Sequence, residues 1–197
     1  MDERDFFDKL SDSWDENECL STPDKVNEIL NYMDINEGDR VLDLGTGTGV
    51  LLPHIARKVG DTGKITAVDF SSGMLRKAQS KYGHISPKPE FLNLDIESDT
   101  IPGVFDKIIL YCVYPHLHSP IETINWLNTV NLTDNGHLFI AFPCNEDFIN
   151  NIHRERHSDS DILPSAETLS KFFNENGLRS EVLKTSPDTY IIKIYKK

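Results

Sequence analysis

The chain has 197 residues, 38% of them hydrophobic and 26% charged, with a formal net charge of −12. That length suits one domain with a core that needs no staples. The acid excess argues against nucleic acid as a substrate, because phosphate contacts need clustered Lys and Arg, although solubility alone also accounts for such a charge. Three cysteines (Cys19, Cys112, Cys144) form no C-x-x-C pair, no long apolar run occurs, and the start at Met1-Asp2-Glu3 is acidic. Together these predict a reduced, cytoplasmic protein without a signal peptide or membrane span.

In chain order, Phe6, Phe7, Leu10 and Trp14 recur at helical spacing in the polar stretch 5–17. Ser21-Thr22-Pro23 opens a second helix, whose buried stripe is Val26, Ile29, Leu30 and Met33. After the turn Asn36-Glu37-Gly38-Asp39, strands are expected at 40–44, 64–69, 89–94, 105–111 and 135–142. Helices are expected between them at 48–59, 72–82 and 119–130, with a short one at 97–102. Apolar strands alternating with amphipathic helices predict βαβ units and a parallel sheet. A polar helix follows at 145–157, then one capped by Ser165, burying Leu169, Phe172 and Phe173 and ending at Asn176-Gly177. Strands at 179–185 and 189–195, joined by Ser186-Pro187-Asp188, must be antiparallel.

The chemistry concentrates in Val41-Leu42-Asp43-Leu44-Gly45-Thr46-Gly47-Thr48-Gly49. A strand runs into an acid and then into three glycines at alternate positions, which lets backbone approach a nucleotide-like ligand. A dinucleotide-binding loop would read G-x-G-x-x-G and would not place a carboxylate beside phosphates. Here Val50 stands where the third glycine would be, and Asp43 suits a ligand carrying an amine or a positive charge. Asp69 ends the next apolar run, and Asp95 follows the third.

This string resembles motif I of the class I S-adenosylmethionine-dependent methyltransferases, and the element order matches that family along nearly the whole chain. The resemblance implies a three-layer α/β/α sandwich, preceded by N-terminal helices. Its seven-stranded, mostly parallel sheet has order 3-2-1-4-5-7-6, with strand 7 antiparallel. It also implies a single domain, 1–197, with a helical lid at 1–35, a cofactor-binding half at 36–142, and a cap helix, C-terminal helix and hairpin at 143–197. By the same resemblance, Asp43, Gly45, Thr46, Gly47 and Gly49 surround the methionine part of S-adenosylmethionine. Asp69 takes the ribose hydroxyls, with Phe70 and Met74 beside the adenosine. Asp95 accepts from the adenine amino group and Ile96 packs on the ring; the alternative for Asp95 is a helix cap. Phe7, Asp8, Ser11, Trp14 and Asp15 are similar to the F-D-x-x-A-x-x-W-D opening of many small members, so Trp14 covers the site or anchors the segment. Tyr111, at the end of the motif IV strand, borders the cofactor.

For the acceptor, His116 follows strand 4 at the topological switch point, as a proton acceptor or as pocket wall. His118 is a weaker candidate. Tyr114, His153, Arg154 and His157 are expected to contact substrate. His153 and His157 share a helix face, so substrate contact, a metal or a solvated surface all fit that spacing. No N-P-P-Y string follows strand 4, which argues against methylation of nucleic-acid bases. The expected function is methyl transfer from S-adenosylmethionine to a small molecule, without metal, nucleic acid or membrane. A non-catalytic S-adenosylmethionine binder and an NAD(P)-dependent oxidoreductase are the alternatives. The acceptor's identity and the oligomeric state are not written in the sequence.

Overall fold

The computed structural model describes residues 3–17, 20–155 and 162–197. Two short helices, α1 (Glu3–Leu10) and α2 (Trp14–Asn17), precede α3 (Pro23–Asn31), which Thr22 caps by accepting from the amide of Lys25. The alternating region is β1 (Arg40–Leu44), α4 (Leu52–Val59), β2 (Lys64–Asp69), α5 (Ser72–Tyr82), β3 (Glu90–Asn93), β4 (Phe105–Tyr111), α6 (Pro120–Trp126) and β5 (Leu132–Phe142). Then come α7 (Glu146–Glu155), α8 (Ala166–Glu175), β6 (Ser180–Ser186) and β7 (Thr189–Tyr195). The seven strands form one sheet of order β3-β2-β1-β4-β5-β7-β6, as expected. β1 to β5 are parallel, and β7 runs antiparallel between β5 and β6.

The central strands are apolar on both faces because helices cover both. Leu42, Leu44, Ile108, Leu110, Leu138 and Ile140 point into one core, with α6 and α8 contributing Ile124 and Phe173. Val41, Ile109, Phe139 and Ile191 point into the other, under Ile29 and Met33 of α3 and Ile55 of α4. The period of two along each strand sorts the side chains between these layers. No helix among the described residues is long and apolar enough to cross a membrane.

Four local expectations are corrected. α4 begins at Leu52, not at residue 48, because Gly47 and Gly49 hold φ of 55° and 86°, which a helix does not accept. No helix forms at 97–102: the Asp95 carbonyl takes the amides of Ser98 and Asp99, a single turn that stops before Pro102. β5 starts at Leu132 instead of 135, directly after a π-helical turn over Leu127–Asn131. Phe172 is 41% exposed while its neighbour Phe173 is fully buried, since consecutive helical residues diverge and only one of the pair can face the core.

Candidate functional site

A cavity of about 590 Å³ opens at the carboxyl ends of the parallel strands, the place where open α/β sheets bind ligands. Its first end is made by β1, β2 and the loop after β3. Gly45, Thr46, Gly47 and Thr48 line it, and the glycines are not interchangeable. A Cβ on Gly45 would lie 2.4 Å from Cγ2 of Val113, so this glycine lets the loop after β4 close in. A Cβ on Gly47 would meet nothing within 4 Å, leaving a bare stretch of backbone. Gly49 does not line the cavity: its Cβ would strike Leu52, Tyr82 and Ala78, so it serves packing between α4 and α5.

Asp69 is 5% exposed, and its two oxygens accept from the amides of Gly47 and Ser71, each at 2.8 Å. Burial raises its carboxyl to about 6 despite those two amides, with the charge of Asp8 adding to the rise. A carboxylate has about four lone-pair sites, so two remain for hydroxyl donors. Asp43 lies behind the loop, not on the cavity wall, 1% exposed and accepting from the Thr46 hydroxyl at 2.7 Å. Burial pushes its carboxyl up to about 7, and Asp69 contributes. Phe70, Met74, Asp95 and Ile96 complete this end. Asp95 accepts from the Glu97 amide at 3.0 Å and stands 3.9 Å from the Arg4 guanidinium.

The N-terminal segment folds over this end through a set of acid contacts to α5. The Asp8 carboxylate accepts from Ser71 Oγ at 2.6 Å and from the Gly73 amide at 2.8 Å, bonds that hold it below the usual carboxylate range. Further along, Asp12 pairs with Lys77 at 2.8 Å and Asp15 with Lys81 at 2.9 Å, while Thr48 donates to Asp15 at 2.6 Å. Trp14 lines the cavity and packs on Phe7, ring centroids 5.7 Å apart. Phe7 in turn meets Phe70 at 5.7 Å and His116 at 5.4 Å. The sequence reading missed Asp8 and Phe7 as site residues, although both belong to the motif that marked Trp14.

The second end is built by the termini of β4 and β5 and by α7. Tyr111 is 7% exposed, with its hydroxyl 2.9 Å from Ser21 Oγ. Cys112 adopts φ of 59°, a conformation rare outside glycine, and turns the chain toward a 3-10 segment at Tyr114–His116. That turn sends neighbouring side chains opposite ways. His116 lines the cavity, whereas Tyr114 turns into the core against Phe173 at 6.0 Å, and burial raises its hydroxyl to about 12. The expected substrate contact from Tyr114 is therefore corrected to a core position. α7 presents Phe148, Ile149, Ile152 and His153 to the cavity, the i, i+1, i+4, i+5 face of an otherwise polar helix. Arg154 points away, exposed and bonded to Asn151 at 2.8 Å, and does not line the cavity. His157 lies outside the described residues. At the mouth, Glu97 bonds the amides of His118 and Ser119 at 2.9 and 2.7 Å and the His118 ring at 3.0 Å, a tie that sequence reading also missed. Burial opposes ionisation of Glu97, yet these bonds hold its carboxyl below the ordinary value. No group of three His, Cys, Asp or Glu among the described residues is arranged to hold a metal ion.

The bare Gly47 backbone lies beside Asp69, and Asp95 lines the same end of the cavity; the architecture is Rossmann-like. A family described as "Methyltransferase domain" matches residues 41–130. A protein-L-isoaspartate O-methyltransferase of Fervidobacterium nodosum is 26% identical over 160 residues, 79% of this chain and 74% of the relative. A 2-phytyl-1,4-naphtoquinone methyltransferase of Nostoc is 32% identical over 90 residues, 44% of this chain, and the match spans only 39% of that relative. Among solved structures, a SAM dependent methyltransferase from Aquifex aeolicus superposes with a TM-score of 0.73 at 21% identity, over 90% of this chain and 95% of that one. The family match covers the strand-and-loop core of the chain, and the fold is that of solved S-adenosylmethionine-dependent methyltransferases.

Proposed function

We propose that this protein methylates a small, largely apolar molecule in the cytoplasm, as a single domain in which the segment of α1 and α2 closes over the donor while α3 belongs to the core. The observation that carries the reading is one continuous cavity with two unlike ends: glycine backbone and buried acids at one, apolar side chains and imidazoles at the other. When bound, S-adenosylmethionine supplies a methyl group on a sulfonium, already activated toward a nucleophile. Gly45, Thr46 and Gly47 admit the methionine portion close to backbone, with Trp14 and Tyr111 bordering it. Asp43 and Thr46, bonded to each other, give that end a negative field for the ammonium. Asp69 holds the ribose hydroxyls, Asp95 the adenine amine, and Phe70, Met74 and Ile96 flank the ring. His116 and His153 face the acceptor. The chain's main contribution is to hold donor and acceptor in line, which can supply several kcal/mol of the barrier.

The charge balance supports a small acceptor over nucleic acid. Lys81 is the one lysine or arginine on the cavity wall among the described residues, and Asp15 already engages it. The test is calorimetric titration with S-adenosylhomocysteine, NAD⁺ and NADP⁺, repeated on Asp69→Ala. Micromolar S-adenosylhomocysteine binding that collapses in the variant is expected. Nicotinamide binding without an S-adenosylhomocysteine signal would overturn the assignment, and failure to turn over any acceptor in a broad screen would leave a binding protein.

A further inference from the structure

We propose that His116 and His153 act as one proton-accepting pair, selecting an acceptor hydroxyl carried on an aromatic or conjugated apolar body. The inference rests on the methyl-transfer reading above and names its substrate class.

The two rings come from distant elements, the turn after β4 and the last turn of the cap helix, yet their centroids lie 5.3 Å apart at 54°. Phe7 closes on His116 from the lid at 5.4 Å and 89°, so ring contacts from two further segments fix this imidazole. His153 is 9% exposed although α7 is polar overall, and it shares its inward face with Phe148, Ile149 and Ile152. Both imidazoles line the cavity, so a ring nitrogen base stands within the acceptor end.

Acceptor chemistry follows from what the pair can and cannot do. A thioether or tertiary amine carries no proton and has no use for a base. A carboxylate or phosphate would need a cation, and the lysine on the wall is engaged by Asp15. A hydroxyl on an aromatic or conjugated ring gives its proton to imidazole far more readily than an aliphatic one, and the apolar wall suits such a ring. In the step, the hydroxyl oxygen forms the new bond to the methyl carbon, and the carbon–sulfur electron pair leaves with sulfur. The hydroxyl proton passes to His116, with His153 positioning that ring and taking up the proton next. Neutral ether, neutral thioether and one imidazolium account for all atoms and charges.

The probe is 4-nitrophenol, whose phenolate absorbs in the visible, added at pH 6 to the protein saturated with S-adenosylhomocysteine. The expected result is saturable binding with the bound chromophore largely ionised. In His116→Gln and His153→Gln the ratio of ionised to neutral bound probe falls about tenfold, equivalent to one pKa unit, while S-adenosylhomocysteine affinity reports an intact fold. Absence of probe binding, or binding as the neutral phenol, overturns the proposal. An unchanged ionised fraction in His153→Gln overturns the pairing. If S-adenosylhomocysteine itself does not bind, the underlying cofactor reading fails, a result distinct from any of these.

Discussion

The two ends of the cavity are built on different physical plans. At the nucleoside end, buried carboxylates are bonded to groups of the loops around them: the amides of Gly47 and Ser71 donate to Asp69, and the Thr46 hydroxyl to Asp43. At the acceptor end the walls are side chains from α7, β5 and the turn after β4, held by packing and ring contacts. Backbone geometry fixes the first end, so few sequences can make it. Side-chain choice fixes the second, so it can change its ligand without disturbing the fold.

The sharpest way to break this contrast is at the glycines. Gly45→Ala puts a Cβ into Val113 at a φ of 67°, and should abolish measurable S-adenosylhomocysteine binding while lowering stability by roughly 1–3 kcal/mol, read by calorimetry and thermal unfolding. Gly47→Ala meets no atom within 4 Å. It should lose stability only through its left-handed backbone, about 1–2 kcal/mol, yet still weaken cofactor binding by filling the cradle. Next in size is Asp69→Asn, which should weaken S-adenosylhomocysteine about 10- to 100-fold, in keeping with roughly 1.5–3 kcal/mol for hydrogen bonds to a charged group.

The buried acids also predict a pH dependence confined to the nucleoside end. Asp43 and Asp69 titrate at about 7 and about 6 in the folded chain, above their ordinary value of 3.8. A raised folded-state value means that their contribution is fully present below the ordinary carboxylate range and is lost as pH rises through 6 to 7. The melting temperature of the unliganded protein should therefore fall across that window. Asp43→Asn should flatten its upper part. Smaller still, Ile152→Ala at the acceptor end should weaken 4-nitrophenol a few-fold with cofactor affinity unchanged, a direct measure of how separable the ends are. The least effect is expected from Asp12→Asn, whose exposed pair with Lys77 should alter S-adenosylhomocysteine release less than about twofold in stopped flow.

What the sequence disclosed follows the same division. Strand positions 40–44, 64–69 and 105–111 matched the structure because runs buried on both faces leave an unbroken apolar signal. Asp69 and the glycine string were legible because the loop's demands are local. The start of α4 was not, since Val50, Leu51 and Leu52 continue a helical apolar pattern that the positive φ of Gly47 and Gly49 overrides. Tyr114 and His116 are two residues apart, and only the direction of one short turn decides which faces ligand. The meeting of His116 with His153 is a tertiary fact with no local signature. The spacing of Phe148, Ile149 and Ile152 marks the face of α7 that carries His153, a signal that reading 145–157 as a polar helix passed over.

One ring links the two ends. Phe7 touches Phe70 beside the nucleoside and His116 beside the acceptor, and the segment bearing it is fastened to α5 by Asp8, Asp12 and Asp15. The consequence concerns traffic. Under the methyl-transfer reading proposed above, undocking of this one segment would uncover both compartments, so the spent donor and the methylated product would share one gate.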